Sequence, residues 1–279
     1  MDREWQGNSG AERCARNHFS KFLTNMALKD WVHILGVNIN NLSQLDAISL
    51  IESWIQDRSK TRSIFIVNAH TLNLASDDAN FQTILSSAHR VFADGTGVRW
   101  AARLRGVRIK ENLVGTDLVP RLFADTAGRG YRYFLLGAGA DAIDRAARRC
   151  ERDFPGWSLA GFHHGYASEA NTPDLIEKIN SAQPHLLLVG MGNPLQERWI
   201  HRYQKQLQVP VCIGVGGLFD HWAGNLQRAP NWVRAQGFEW LQLLLQQPHK
   251  WRRYLLGNPK FLIRIVRELP KDLARSTQS

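Results

Sequence analysis

From Trp31 to about Pro230 the chain alternates short β-rich runs with helical stretches, and the runs end in clusters of glycine and polar residues. That alternation is the signature of a parallel sheet covered on its faces by helices. Val32–Val37 reads as the first strand. Leu42–Ile55 reads as a helix, with Ser43 as N-cap and Leu45, Ile48, Ile51, Trp54 and Ile55 along one face. Strands at Ser63–Val67 and Arg90–Ala93 complete a first half. Strands at Tyr133–Leu136, Trp157–Ala160, His185–Val189 and Val209–Ile213, with a helix at Asp141–Asp153, make a second. The expected fold class is therefore α/β: one core over residues 31–229, built of two packed halves with parallel sheets (31–129 and 130–229) joined near Gly128–Gly130.

Hydrophobic side chains make up 44% of the 279 residues, enough to bury a core of this size. Residues 1–30 form a polar N-terminal extension with no apolar run resembling a signal peptide, and no stretch reaches the roughly 18 to 20 apolar residues that span a bilayer. The three cysteines, Cys14, Cys150 and Cys212, are widely spaced and odd in number, which suits ordinary thiols in a reducing compartment. A cytosolic or peripheral protein is expected. After Pro230 the strand signals stop, and residues 230–279 read as a helical, basic appendage punctuated by Pro248 and Gly257-Asn258-Pro259. From Arg228 onward ten Lys or Arg stand against three acids, Glu239, Glu268 and Asp272, interleaved with Trp232, Trp240, Trp251, Tyr254 and Phe261. Such a segment suits an anionic membrane interface, and packing of its helices on the body is compatible with that role.

In open α/β sheets ligands bind beyond the carboxyl ends of the strands. The loops at Asn68-Ala69-His70, Asp94-Gly95-Thr96-Gly97, Gly137-Ala138-Gly139, Gly190-Met191-Gly192-Asn193-Pro194 and Gly214-Val215-Gly216-Gly217 should therefore converge on one crevice. Gly137-x-Gly139-x-x-Ala142, after a strand and before a helix, makes the second half Rossmann-like and raises an NAD-dependent oxidoreductase as an alternative. That reading wants an acid about 20 residues further on, closing the next strand. Here the strand runs into Gly161-Phe162-His163-His164-Gly165-Tyr166. Asp94 follows the apolar run Val91-Phe92-Ala93 and is followed by two glycines; a carboxylate at such a strand end can act as a general base, and an Asp-Gly pair taken alone also reads as a turn. Asn68 can orient a sugar hydroxyl. His70, His163 and His164 lack companion ligands, and the chain has no Asp-x-Asp, so neither a metal nor another cofactor is expected. The charge of a leaving diphosphate would fall to backbone amides and cations.

Asn68-Ala69-His70, Ala93-Asp94-Gly95-Thr96-Gly97, Gly115-Thr116-Asp117-Leu118, His164-Gly165-Tyr166, Gly192-Asn193-Pro194-Leu195-Gln196-Glu197, Gly214-Val215-Gly216-Gly217-Leu218-Phe219-Asp220 and Arg228-Ala229-Pro230 occur in this order between about Trp31 and Arg267. Together they resemble the WecG/TagA/CpsF glycosyltransferases, family 26. The resemblance implies inverting transfer of a sugar from a UDP donor to an undecaprenyl-diphosphate-linked saccharide. The setting it implies is cell-surface polysaccharide assembly at the inner face of the cytoplasmic membrane. On that reading Asp94 is the base with Asn68 beside it, and Gly137, Tyr166, Gln196, Glu197, Gly216 and Asp220 form the donor pocket. Lys250 and Arg253 close over the diphosphate, while Arg264 and Arg267 meet anionic lipid. Self-association as a homo-oligomer is implied, and no nucleic-acid partner. The chain departs from the family pattern at Ile66, where a Thr is frequent, and at Asn112 and Leu243, where an Arg is. A membrane-binding module without catalysis is a third reading, which leaves the convergent loops without a purpose.

Overall fold

The computed structural model describes residues 30–166, 168–236 and 239–276. The polar extension and Cys14 lie outside the described residues, apart from Asp30. The first strands, β1 (Trp31–Ile34) and β2 (Val37–Asn40), pair antiparallel across Leu35-Gly36. Both turn residues have positive φ, 49° and 81°, the two-residue turn whose twist matches that of the flanking strands. The single strand expected over Val32–Val37 is thus a hairpin. A Cβ at Gly36 would stand 1.9 Å from Gln82 Nε2, the amide that donates to the Leu35 carbonyl at 3.0 Å.

Helix α1 (Gln44–Gln56) begins at Ser43 in a capping box with Asp46, and it buries Ala47, Ile48, Ile51 and Ile55. Leu45, expected on the same face, is exposed. The first half continues through β3 (Arg62–Val67), α2 (Ala69–Asp77), α3 (Ala79–Ser86), β4 (Arg90–Ala93), α4 (Gly95–Leu104) and α5 (Gly115–Asp125). The second half runs β5 (Arg132–Gly137), α6 (Ala140–Asp153), β6 (Ser158–His163), α7 (Thr172–Ser181), β7 (Leu186–Gly190), α8 (Leu195–Tyr203), β8 (Val211–Gly214) and α9 (Leu218–Trp222).

One eight-stranded sheet, in the order β1-β2-β4-β3-β8-β7-β5-β6, runs through both halves and is parallel apart from the β1–β2 pair. The halves join where β8 inserts between β3 and β7, with Arg62–Phe65 in register with Val211–Gly214. Strands β3, β7 and β8 are buried throughout, because helices cover both faces. Alternate residues feed two cores, Phe65 and Val67 on one face and Ile64 and Ile66 on the other. Cys150 and Cys212 are buried free thiols in this packing.

The appendage comprises α10 (Asn231–Ala235), α11 (Glu239–Gln246), a 3₁₀ turn at Pro248–Lys250, a π-helical turn at Arg252–Leu256 and α12 (Gly257–Ser276). Helix α12 docks on the first half through Phe261 and Ile265, both fully buried. The Asn73 side chain donates to the Gly257 carbonyl at 2.8 Å, and Glu268 accepts from the Leu35 N–H at 3.1 Å while pairing with Arg105. Arg264 donates to the Asn73 carbonyl at 2.8 Å and pairs with Asp77, which Lys260 also holds at 2.8 Å. The expectation that Arg264 meets lipid is corrected by these bonds: its guanidinium clamps α12 to α2. Arg267 is exposed. No helix among the described residues is long and apolar enough to cross a membrane.

Candidate active site

The carboxyl ends of β3, β4, β7 and β8 open into a cleft of about 710 Å³, roofed by α11 and the turns that follow it. Asn68, Asp94, Tyr166, Gln196, Gly216, Asp220, Lys250 and Arg253 all line it, although they come from segments far apart in sequence. Asp94 closes β4 as the N-cap position of α4, yet its carboxylate makes no capping bond. Instead it accepts from Asn68 Nδ2 at 3.4 Å. Asn68 has no freedom to do otherwise, since its Oδ1 caps α2 by accepting from the His70 and Thr71 N–H groups at 3.1 and 3.2 Å. The structure sets Asn68 beside Asp94, where its side chain serves both the helix and the neighbouring carboxylate.

Burial pushes the Asp94 carboxyl above the usual carboxylate range. The Asn68 bond opposes that shift, nearby Glu239 adds to it, and Arg253 and Arg228 oppose it. Burial also lowers the Lys250 ammonium, with Arg253 adding repulsion and Asp220 partly offsetting both. His70 is pushed down to about 4 by burial and by the charges of Arg253 and Lys250. It therefore faces the cleft as a neutral imidazole at neutral pH, a placement that sequence reasoning left unassigned. Among the described residues no group of three or more His, Cys, Asp or Glu side chains is arranged to hold a metal ion.

Two expected donor contacts do not line the cleft. Gly137 sits behind it with φ +146°, and a Cβ there would stand 2.2 Å from the Gly190 carbonyl oxygen, so its role is close passage of β5 along β7. Glu197 is fully buried beneath Gln196. Its Oε1 accepts from Asn193 Nδ2 at 2.5 Å and Gln196 Nε2 at 2.8 Å, leaving Gln196 Oε1 to accept from the Gly216 N–H at 2.9 Å. Glu197 thus orients the amide that faces the cleft. At the other rim Arg228 binds Asp117 through two nitrogens at 3.0 and 3.2 Å and Glu239 at 2.9 Å, which fastens the appendage to the N-terminus of α5. Asp117 and Arg228 stand in two of the motifs quoted from the sequence, but their pairing and the place of Glu239 at the cleft wall are shown only by the structure.

The profile of the Glycosyl transferase WecG/TagA/CpsF family matches residues 32–275, which takes in the core and the appendage alike. The chain belongs to that family. It is similar to two Bacillus proteins named N-acetylglucosaminyldiphosphoundecaprenol N-acetyl-beta-D-mannosaminyltransferase. That of Bacillus spizizenii is 31% identical, with 82% of this chain and 90% of the relative covered. The Bacillus subtilis protein is 31% identical over 83% of this chain and 88% of its own length. A Staphylococcus aureus protein of the same name is 30% identical over 85% of this chain and 92% of its own. As a member of the WecG/TagA/CpsF family the chain is a glycosyltransferase, and the readings as an oxidoreductase and as a membrane-binding module without catalysis lapse. Of the positions where it departs from the family pattern, Ile66 and Leu243 line the cleft, and Asn112 accepts from the Gly95 N–H at 2.8 Å, next to Asp94.

Proposed function

We propose that this glycosyltransferase moves N-acetylmannosamine from UDP to a diphosphoundecaprenol-linked N-acetylglucosamine, with inversion, while held at an anionic membrane surface. The observation that carries the reading is Asp94: a desolvated carboxylate free of any capping bond, in one cleft with Lys250 and Arg253. Asp94 takes the proton of an acceptor hydroxyl as that oxygen attacks the anomeric carbon, and UDP leaves with the bonding electron pair. Lys250 and Arg253 meet the charge that develops on the diphosphate. Asn68, fixed by its capping bonds, holds the carboxylate in line. Gln196, Gly216, Tyr166 and Asp220 supply polar groups for the donor. The sugars are those in the names of the Bacillus and Staphylococcus relatives. Membrane attachment is supported by the outward side chains of the appendage: Leu245, Leu255, Leu256, Leu262, Ile263 and Val266 are exposed, with Arg267 among them.

Incubation of the purified chain with UDP-N-acetylmannosamine and a short-chain prenyl diphosphate carrying N-acetylglucosamine should yield a disaccharide of inverted anomeric configuration by NMR. UDP-glucose and UDP-N-acetylmannosaminuronic acid serve as rival donors. No product from any UDP-sugar, or a product that retains the donor configuration, would overturn the proposal.

A further inference from the structure

Next to the cleft, between α4 and the segment that leads into α5, lies a second cavity of about 240 Å³. Its walls are cationic: Arg99 and Arg103 stand one turn apart on α4, with Arg108 and Lys110 across from them. None of the four has an ion-pair partner among the described residues, whereas Arg105 in the same stretch is paired with Glu268. The carboxylate at the cavity, Glu111, accepts from the Gln44 N–H at 2.5 Å. Four cations face one carboxylate, Glu111, around one small space, so the cavity keeps a positive excess that an anion of several charges would offset. Guanidinium groups suit the oxygens of phosphate in particular.

Two features indicate what carries that phosphate. Asn112, in the cavity wall, accepts from Gly95, the residue next to Asp94, so the cavity adjoins the catalytic carboxylate. On α4 the arginines alternate with Trp100 and Leu104, 54% and 47% exposed, and α4 packs on α12 with its exposed Leu262, Ile263 and Val266. A cation cluster bordered by apolar surface fits a phosphate group borne on a lipid. We propose that this cavity is a second phosphate site, separate from the donor cleft, which seats the phosphate or diphosphate of a lipid. Two lipids offer that chemistry, the acceptor and the bilayer headgroup. For the acceptor the assignment rests on the transferase reading above: the sugar whose hydroxyl reaches Asp94 is bonded directly to its diphosphate, which must then lie about one sugar ring away.

The test uses the full chain with UDP saturating the donor cleft and inorganic pyrophosphate as probe, measured by calorimetry, so it needs no turnover. Arg103→Glu/Arg108→Glu should weaken pyrophosphate binding by about tenfold or more, since both substitutions remove charged hydrogen-bond donors, while leaving UDP affinity unchanged. Both side chains are exposed, and Arg103→Gln/Arg108→Gln, which removes charge without reversing it, serves if the first variant misfolds. Equal pyrophosphate affinity in wild type and variant, or no binding to wild type, overturns the site. Kinetics and flotation then separate the two sources. A rise in acceptor KM at constant donor KM assigns the acceptor diphosphate, and weaker flotation with phosphatidylglycerol vesicles at constant acceptor KM assigns the headgroup. If neither changes in a variant that has lost pyrophosphate binding, the lipid part of the proposal is wrong.

Discussion

At the scale of single residues the proposed chemistry turns on how Asp94 is surrounded. Replacing it by Asn keeps the shape and removes the proton acceptor, so turnover should fall by about 10² to 10⁴-fold while UDP binding is retained. Near-normal turnover at saturating substrate would reject the assignment. Because burial raises the Asp94 pKa, the acid limb of the rate profile should lie above the ordinary carboxylate range, with activity gained as pH rises through it. Asn68 works against that shift, so Asn68→Ala should move the limb to still higher pH. Loss of its cap on α2 should also reduce stability by about 1 kcal/mol, measurable by urea titration. Asp94 was legible in the sequence because a lone acid ending an apolar run stands out. His70 was visible as a residue but not as a neutral group, since the burial that mainly holds it so, and the added charges of Arg253 and Lys250, come from the folded arrangement.

Among the elements, the turn into α8 and the docking of α12 carry separate predictions. Glu197, buried under Gln196, has its carboxyl raised to about 7 from an ordinary value of 4.5, with burial as the main cause. The folded state therefore holds this proton more tightly than the unfolded chain does. The resulting stability is complete below about pH 4.5 and is lost as pH rises through about 7. Glu197→Gln should flatten that part of the Tm-versus-pH curve while preserving the bond that orients Gln196; an unchanged slope would place the titration elsewhere. On α12, Arg264 and Arg267 should separate cleanly. Arg264→Ala should loosen the helix, seen as faster amide exchange over Phe261–Ile265, because it removes the bonds to Asn73 and Asp77. Arg267→Ala should spare the helix and weaken flotation with anionic vesicles, more so at low salt. Equal behaviour of the two variants would refute the distinction. From sequence the two arginines looked alike, since a helix pattern gives a face but not the partner waiting on it. The Leu35-Gly36 turn escaped notice for a related reason: Leu35 has the chemistry of a strand residue and adopts a positive φ that its own side chain does not favour.

For the molecule as a whole, the alternation of strands and helices and the glycine-rich strand ends were readable, and with them the place of the cleft. The order of the strands was not, because any parallel strand of this composition can pair with any other, and only the packed whole selects β8 as the neighbour of β3. The proposed second phosphate site was hidden likewise: only the fold gathers Arg99, Arg103, Arg108 and Lys110 around one cavity with a single carboxylate, Glu111. The insertion of β8 also has a consequence for biosynthesis. On the ribosome, β3 offers an open edge with the apolar run Ile64–Val67 until Val211–Gly214 have emerged, so the nascent chain needs shielding from aggregation until then. The strand that covers this edge also leads into the Gly214–Gly217 wall of the cleft, and Lys250 and Arg253 are translated later still. A nascent chain that stops short of Arg253 therefore lacks part of the cleft wall.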